Sequence, residues 1–181
     1  MNNLTFRPAL PADYLFIARG FHMAMLMDDT DEEQIRRFAD TICKRDDVLY
    51  CARNTIIAEL DGQAVGMVTA YDGRRYREMA ERTFAIVKKE MGIEFPGMEA
   101  EAVPGEYYID SLAVWPEYRG KGIGRALLTK AIETGRHIGT VTLAVDPDNP
   151  TAERLYESLG FRYVGNLFIF GHDYRKMAYI D

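Results

Sequence analysis

The sequence predicts an α/β domain in which helices flank a mixed central β-sheet. Segments of strand composition alternate with segments of helical periodicity in the order β-α-α-β-β-α-β-α-β-α-β-β. Near the middle of the second half, a strand runs into a glycine-rich loop, and that loop opens a helix. The length of 181 residues and the hydrophobic content of 48% are ordinary for one globular domain, which we place over residues 1–181.

The first elements are a short strand over residues 4–7 and a helix over 11–25 with apolar side chains at helical spacing. A second helix is predicted over residues 31–44. Its start is indicated by Thr30 and Glu33, which have the S/T-x-x-E spacing of a capping box. The methionines between the two helices are interpreted as flexible core filler.

Two strands, over residues 49–59 and 64–71, are joined at Asp61-Gly62, which is a strong signal for a β-hairpin turn. The next helix, over residues 73–91, has apolar side chains in helical period and is followed by a loop over 92–105. The two strands and the helix therefore continue the predicted alternation.

The second half begins with a strand that starts at Tyr107 and is stopped by Pro116, followed by a helix over 122–138 and a β-branched strand over 140–145. A further helix has Asn149 at its N-cap, Pro150 at N1 and Gly160 at its C-terminal cap. Strands over residues 161–170 and 173–180 then form a closing hairpin turned at Gly171-His172.

The loop between the first strand and helix of this half predicts a binding site for a phosphate or pyrophosphate. The first N–H groups of a helix lack intrahelical partners and lie at its positive end, and glycines permit close approach. Arg119, Lys121 and Arg125 add positive charge. The alternative is an ordinary tight turn with surface cations. A dinucleotide-binding fingerprint needs a third glycine or alanine where this chain has Arg125 or Leu127, so the pattern fails. One feature favours it, because Asp146 ends a strand at about the distance downstream where that fold carries its acidic residue.

The segment Arg119-Gly-Lys-Gly122-Ile-Gly124 matches Arg-x-x-Gly-x-Gly and resembles the pyrophosphate loop of the GNAT (Gcn5-related) N-acetyltransferases, which bind acetyl-CoA. The segments 112–120 and 149–161 resemble the family's flanking strand-turn and its second signature. The resemblance covers roughly residues 106–165. It implies a GNAT-like sheet that splays open between the central strand and the 140–145 strand to admit the cofactor.

The resemblance also implies direct transfer of an acetyl group from acetyl-CoA (coenzyme A) to a primary amine of a small molecule or peptide. The residues that it places at the cofactor are Leu112, Ala113, Val114, Arg119, Gly120, Lys121, Gly122, Ile123, Gly124, Arg125, Asn149, Ala152 and Tyr156. The helix over residues 73–91 and the loop after it are interpreted either as a cover for the acceptor site or as a cap on a sheet edge.

Three residues are candidates for proton transfer. Glu106 or Asp110 on the central strand is predicted as the general base, because an ammonium must lose a proton before it can attack. The position where many relatives carry a glutamate is Tyr108 here. Tyr156 lies at the position whose residue, in the GNAT family, protonates the leaving thiolate. Its alternative role is core packing.

Composition limits the remaining classes. A net charge of −6 argues against non-specific nucleic-acid binding, and no apolar run approaches the roughly 20 residues of a membrane helix. We see no signal peptide, two cysteines suit a reduced cytoplasmic protein, and three separated histidines predict no metal. A homodimer is compatible with the chain. The acids over residues 28–33 either attract the amine or simply favour the helix start.

Two other functions stay open: a catalytically weak acyl-CoA-binding or sensing module, and a nucleotide-dependent oxidoreductase. Cofactor binding without transfer to any amine would favour the first of these. A cofactor-binding screen would test the second, which the glycine spacing already disfavours.

Overall fold

The computed structural model describes residues 3–27 and 31–180. One seven-stranded sheet has the strand order β1-β2-β3-β4-β5-β7-β6. Its strands are β1 Leu4–Pro8, β2 Thr55–Leu60, β3 Gln63–Asp72, β4 Glu106–Val114, β5 Thr140–Val145, β6 Phe161–Ile169 and β7 His172–Tyr179. Its helices are α1 Tyr14–Ala24, α2 Glu32–Phe38, α3 Gly73–Met91, α4 Ile123–Gly135 and α5 Pro150–Leu159. The predicted class and element order are confirmed.

The sheet is mixed because β4 and β5 run parallel, whereas the other neighbouring strands pair antiparallel. Side chains that alternate along β4 belong to two separate cores. Tyr108 packs in a core with residues of α1, α2 and α3, whereas Tyr107 and Ile109 pack in a core with residues of α4. The helices therefore cover both faces of the sheet.

The sheet opens between its two parallel strands, as the resemblance implied. The register of β4 with β5 runs from Glu106–Thr140 to Ile109–Leu143. Beyond it, β4 continues for five residues to Val114, while β5 remains paired with β7 up to Val145. A gap between the two strands thus begins at Asp110. No described helix is both long and apolar enough to cross a bilayer.

The strand predicted over residues 49–59 begins only at Thr55, so the prediction is wrong for its first half. Residues 48–51 are buried bends, and their backbone groups bind side chains instead of a neighbouring strand. Asn54 Nδ2 donates to the carbonyl oxygens of Val48 and Leu49 at 3.1 and 2.9 Å. The N–H of Leu49 donates to Thr83 Oγ1 at 3.0 Å. An apolar run alone did not distinguish this arrangement from a strand.

The second helix also differs from its prediction. Its N-cap is Asp31, whose Oδ1 accepts from the N–H of Gln34 at 3.0 Å, and Thr30 lies outside the described residues. The α-helix ends at Phe38, and a π-helical turn over Ala39–Cys43 follows it directly. The described N-cap is therefore one residue later than the position that the capping-box spacing predicted.

The predicted helix over residues 122–138 ends earlier, at Gly135. The closing hairpin turns at Phe170 and Gly171, with φ of 53° and 82°, rather than at Gly171-His172, because Ile169 pairs with His172. The Asp61-Gly62 turn is confirmed, with φ of 52° and 83° and Leu60 paired with Gln63. Both turns use two left-handed residues, as tight hairpins do.

Candidate active site

The N-terminus of α4 has the geometry of the predicted anion loop. Gly120 and Gly122 have φ of 74° and 78°, a conformation that favours glycine. A Cβ placed on either would meet no atom within 4 Å, so the outer side of the loop is open. Gly122 is the N-cap and has no side chain to satisfy the first N–H groups of the 13-residue helix. The loop therefore presents unpaired donors to an open space that suits a diphosphate.

The three predicted cations stay beside this loop. Arg119 Nε donates to the carbonyl oxygen of Val114 at 3.0 Å, and Lys121 Nζ donates to that of Glu117 at 3.2 Å. Arg125 Nη2 donates to Ser158 Oγ at 2.7 Å and so joins α4 to α5. Within residues 3–27 and 31–180, none of these three forms an ion pair with a carboxylate. Their charge is therefore available to an anion at the loop.

The end of β4 lies directly under α4. A Cβ on Gly124 would lie in ordinary van der Waals contact with the strand, 3.7 Å from Val114 Cγ2 and 3.9 Å from Leu112 Cδ2. Leu112, Ala113 and Val114 pair with β3 on one side. On their other side lies the gap toward β5. This edge supplies backbone donors and acceptors next to the anion loop.

Helix α5 carries the remaining cofactor candidates. Asn149 Oδ1 accepts from the N–H of Ala152 at 3.1 Å, which confirms the predicted N-cap. Tyr156 packs its ring edge against Phe161, with centroids 6.1 Å apart. Its hydroxyl makes no hydrogen bond to any residue of the described ranges. Burial raises the pKa of Tyr156 to about 12, so the hydroxyl keeps its proton at neutral pH.

Asp110 occupies a β-bulge at the point where the sheet opens. Thr69 pairs with Ser111 and Ala70 pairs with Ile109, so Asp110 is the extra residue of β4. Its Oδ2 accepts from the Tyr71 hydroxyl at 2.6 Å, and its Oδ1 accepts from Ser111 Oγ at 2.5 Å. Burial raises the pKa of Asp110 despite these hydrogen bonds, which favour the charged form.

A second buried carboxyl, Glu101, was not predicted from the sequence. It lies in the loop before β4 and is 3% exposed. Its Oε2 accepts from the Tyr108 hydroxyl at 3.0 Å, and its Oε1 has no hydrogen-bond partner among the described residues. Burial, and then the charge of Asp110, raise the pKa of Glu101 well above its usual range. The feature of the sequence that could have indicated a buried carboxyl is the high tyrosine content of the neighbouring strands, because buried tyrosine hydroxyls need acceptors.

Glu106, the other predicted base, is held in an ion pair. Lys176 Nζ lies 2.7 Å from Glu106 Oε1 and 2.8 Å from Oε2. The N–H of Val103 also donates to Oε2, at 3.2 Å. The same lysine donates to the carbonyl oxygen of Glu101 at 3.4 Å. The structure therefore brings the partly buried Asp110 near the buried Glu101 and gives Glu106 a cationic partner, Lys176. The identity of the base stays a prediction.

A cavity of about 280 Å³ lies on the same side of the sheet as these carboxyls. Its wall is mostly apolar and includes Phe21, Phe38, Phe84, Val87, Phe95 and Phe170. Tyr50 and Tyr174 also line it. Burial and then the charges of Asp110 and Glu101 raise the pKa of Tyr50, and Asp146 and Glu101 act likewise on Tyr174. Glu101 thus lies within electrostatic range of Tyr50 and Tyr174, although neither Glu101 nor Asp110 lines the cavity.

The described acids of the segment 28–33, which are Asp31, Glu32 and Glu33, do not line this cavity. Asp31 caps α2, and Glu32 pairs with Arg19 through oxygen–nitrogen distances of 2.6 and 2.7 Å. Asp28 and Asp29 lie outside the described residues. Asp31 and Glu33 line a more polar depression next to Arg37 and Ile93. For the described acids, the helix-start interpretation has direct structural support.

Comparison with known proteins gives a consistent picture. The model of the acetyltransferase (GNAT) family matches residues 21–161. N-alpha-acetyltransferase RimI of Mycobacterium tuberculosis is 45% identical over 62 residues, which are 34% of this chain and 39% of that protein. A mycothiol acetyltransferase of Nocardiopsis dassonvillei is 49% identical over 59 residues, 32% of this chain and 17% of that protein. The chain thus matches well under two thirds of these curated relatives.

The similarity to a solved structure extends over nearly the whole chain. A crystal structure of an acetyltransferase superposes with a TM-score of 0.76 at 28% sequence identity. The aligned part covers 97% of this chain and 98% of that one. The seven-stranded sheet and its helices therefore follow an architecture already observed in an acetyltransferase.

Proposed function

Because the chain belongs to the GNAT family of acetyltransferases, whose model matches residues 21–161, we propose that it transfers an acetyl group from acetyl-CoA to a primary amine. The acceptor is a small molecule or a peptide. The observation that carries this proposal is the opening between β4 and β5, which begins at Asp110. It connects the anion loop of α4 with the buried carboxyls on the other face of the sheet.

The residues at the opening fit coenzyme A. The N–H groups after Gly120 and Gly122 and the charges of Arg119, Lys121 and Arg125 suit its diphosphate. The free edge of β4 suits the amide groups of its pantetheine arm. When bound, acetyl-CoA supplies a thioester whose acetyl group is activated toward an amine nucleophile.

Two partly buried groups of the chain have suitable proton affinities. Asp110 accepts a proton from the incoming ammonium, because a carboxyl with a raised pKa binds protons more strongly than an exposed one. Tyr156 donates its hydroxyl proton to the departing sulfur. The N–C bond of the amide forms as the C–S bond breaks. The ammonium nitrogen loses two protons in all, one to Asp110 before the attack and one as the amide forms, while the sulfur gains one from Tyr156. The second proton from nitrogen restores the Tyr156 hydroxyl through solvent, and Asp110 releases its proton to solvent, so one net proton is lost in each turnover.

We also propose a cytoplasmic location. Cys43 and Cys51 are both free and buried thiols, which is the state expected for a protein in a reducing compartment.

The proposal is tested in two steps. Calorimetry with acetyl-CoA first measures binding, and a free-thiol assay then follows turnover with a library of primary amines. Saturable binding together with amine-dependent thiol release supports the transferase. Binding without release to any amine would instead indicate the acyl-CoA-binding module, and no binding at all would contradict both functions.

A further inference from the structure

The carboxylate of Asp110 accepts two short hydrogen bonds whose donors lie on different strands. The Tyr71 hydroxyl on β3 donates to Oδ2 at 2.6 Å, and Ser111 Oγ on β4 donates to Oδ1 at 2.5 Å. Lengths of about 2.5 to 2.7 Å are typical of a hydroxyl bonded to an ionised carboxylate. Each carboxylate oxygen keeps a further lone pair that these bonds do not use. The two donors can therefore hold the carboxylate while it accepts a proton.

The β-bulge explains why both donors reach the same carboxylate. Consecutive side chains of a regular strand point to opposite faces of the sheet, so Ser111 would normally point away from Asp110. Here Ala70 pairs with Ile109 and Thr69 pairs with Ser111, which leaves Asp110 without a partner residue on β3. The extra residue brings the side chains of Asp110 and Ser111 to the same side.

Burial separates the carboxylate from the two groups that bond to it. Tyr71 is 3% exposed and Ser111 is 1% exposed, whereas Asp110 is only partly buried. The Tyr71 ring packs against Tyr76 and Tyr108, with ring centroids 6.0 and 5.9 Å away. A bound molecule can therefore contact Asp110, whereas Tyr71 and Ser111 can act on that molecule only through Asp110.

The two hydroxyls also influence the protonation of Asp110. Burial raises the pKa of this carboxyl and so favours its neutral form, which cannot take a proton from an ammonium. The hydrogen bonds from Ser111 and Tyr71 oppose burial, because they favour the charged form. Burial, and then the charge of Asp110, raise the pKa of Tyr71 well above its ordinary value, so this hydroxyl keeps its proton and remains a donor.

Other ionisable side chains of the described residues lie within electrostatic range of this carboxylate, from β4, α3, the loop before β4 and the segment before β2. They are Tyr108, Tyr76, Glu101 and Tyr50. Within the described part of the chain, none of them forms a hydrogen bond to the carboxylate of Asp110. The direct contacts of this carboxylate are therefore the hydroxyls of Tyr71 and Ser111.

We propose that Tyr71 and Ser111 are positioning residues for acetyl transfer, whose hydroxyls keep Asp110 oriented and ionised for the incoming ammonium. The inference rests on the proposed function, in which Asp110 takes one proton from the ammonium. An N–H bond of the ammonium breaks and an O–H bond forms on Asp110, while the O–H bonds of Tyr71 and Ser111 stay intact. Both residues thus act through Asp110 and need no contact with the substrate.

The test removes each hydroxyl and follows the pH dependence of kcat/KM. Tyr71→Phe keeps the ring and loses the donor, so Asp110 should ionise only at higher pH. We expect the acid limb of the profile to move up by about one pH unit, which is the size of a hydrogen bond to a charged group. Ser111→Ala, a smaller change, should move the limb in the same direction.

Tyr108→Phe is the matched control. Tyr108 is 2% exposed and faces Tyr71 across the β3–β4 pair, but its hydroxyl donates to Glu101. Its removal therefore takes away a similar buried hydroxyl without removing a donor to Asp110. We expect the acid limb to stay at its wild-type position. Circular dichroism establishes that each variant is folded, and Ser111→Ala carries the test where Tyr71→Phe does not fold.

A second readout needs no turnover. NMR of isotopically labelled aspartate carboxyl carbons follows the titration of each side chain, and the Asp110 signal is the one that disappears in Asp110→Asn. We expect this signal to titrate about one pH unit higher in Tyr71→Phe than in the wild type, and at the wild-type pH in Tyr108→Phe.

The two readouts separate this inference from the proposed function. An Asp110 titration that neither Tyr71→Phe nor Ser111→Ala moves would overturn the inference and leave acetyl transfer standing. A titration that moves while the rate profile does not would also overturn it, because Asp110 would then take no part in the reaction. Absence of amine-dependent thiol release by the wild type would overturn the transferase proposal, and the role in transfer with it.

Discussion

The hydroxyl of Tyr71 donates a hydrogen bond of 2.6 Å to Oδ2 of Asp110, and this bond crosses from β3 to the bulge of β4. The bulge places Asp110 and Ser111 on the same side of the sheet, so Ser111 Oγ donates a hydrogen bond to the second carboxylate oxygen, Oδ1. Both oxygens of this partly buried carboxylate are thereby held in a fixed orientation. The following predictions examine what this arrangement and its surroundings contribute.

The first prediction concerns the base. Asp110→Asn keeps the hydrogen-bond acceptor for Tyr71 but removes the proton-binding carboxylate. We expect the rate to fall by about 10²- to 10⁴-fold below the pKa of the amine, where the amine arrives protonated, and to recover partly at higher pH. The check is a pH–rate profile of kcat/KM measured by thiol release.

Glu106→Gln is the matched control for this variant, because Glu106 lies on the same strand but is paired with Lys176. We expect it to keep a profile of wild-type shape. A wild-type profile in both variants would show that the base lies elsewhere or that the amine binds neutral. A loss confined to Glu106→Gln would assign the base to Glu106.

The second prediction concerns Glu101 and stability. Its pKa in the folded protein is raised above the ordinary value of 4.5, so the folded state binds this proton more tightly than the unfolded chain does. Its contribution to stability is therefore present below pH 4.5 and is lost as pH rises toward the folded pKa. Glu101→Gln has no proton to lose, so it avoids this loss of stability at higher pH. Tyr108 can still donate its hydrogen bond to the amide oxygen.

We accordingly expect Glu101→Gln to be more stable than the wild type at neutral pH, by about 1.4 kcal/mol for each pH unit above 4.5 until the folded pKa is reached. Urea unfolding at pH 5, 6, 7 and 8 measures this difference. Glu133→Gln, which changes an exposed partner of Lys130, should stay within about 0.5 kcal/mol throughout. A stability difference that is constant with pH would contradict the raised pKa.

Features that depend on short-range chemistry could be predicted from the sequence. Gly160 ends α5 with φ of 107° because a left-handed C-cap favours glycine, and Asn149 caps the same helix through its own Oδ1. The Asp61-Gly62 turn and the start of α4 at Gly122 follow from equally local preferences. These signals are contained within a few consecutive residues, and that is why they could be interpreted without the fold.

Features that depend on distant partners could not be predicted. The segment before β2 has strand-like composition, but the N–H of Leu49 donates to Thr83 Oγ1, which lies 34 residues further along the chain, and not to a neighbouring strand. Glu101 becomes a buried group only because the loop after α3 folds against Tyr108. The hairpin turn moved by one residue because Phe170 adopts a φ of 53°, which is uncommon for a bulky side chain. The cavity wall, finally, joins α1, α3 and the β6–β7 turn.

The third prediction concerns the anion loop. Gly122→Glu places a side chain and a negative charge in the open space where the diphosphate is expected. Calorimetry should show at least a tenfold weaker affinity for acetyl-CoA. Gly62→Glu is a matched control, because Gly62 has a similar φ of 83° and equally free surroundings in the β2–β3 turn. Both variants should lose similar stability, about 1 kcal/mol, and only the first should lose affinity. Unchanged affinity in Gly122→Glu would remove this loop from the cofactor site.

The last prediction concerns Tyr156. Its ring packs against Phe161, and its hydroxyl has no hydrogen-bond partner among the described residues, so Tyr156→Phe preserves the ring packing and removes only the hydroxyl group. If the hydroxyl protonates the leaving sulfur, turnover should fall by about 10²- to 10⁴-fold while acetyl-CoA affinity and Tm stay nearly unchanged. Tyr163→Phe, which removes an exposed hydroxyl bonded to Asn166, is the control and should keep full activity. Pre-steady-state measurements establish that chemistry limits the rate. Full activity of Tyr156→Phe under those conditions would make Tyr156 a packing residue.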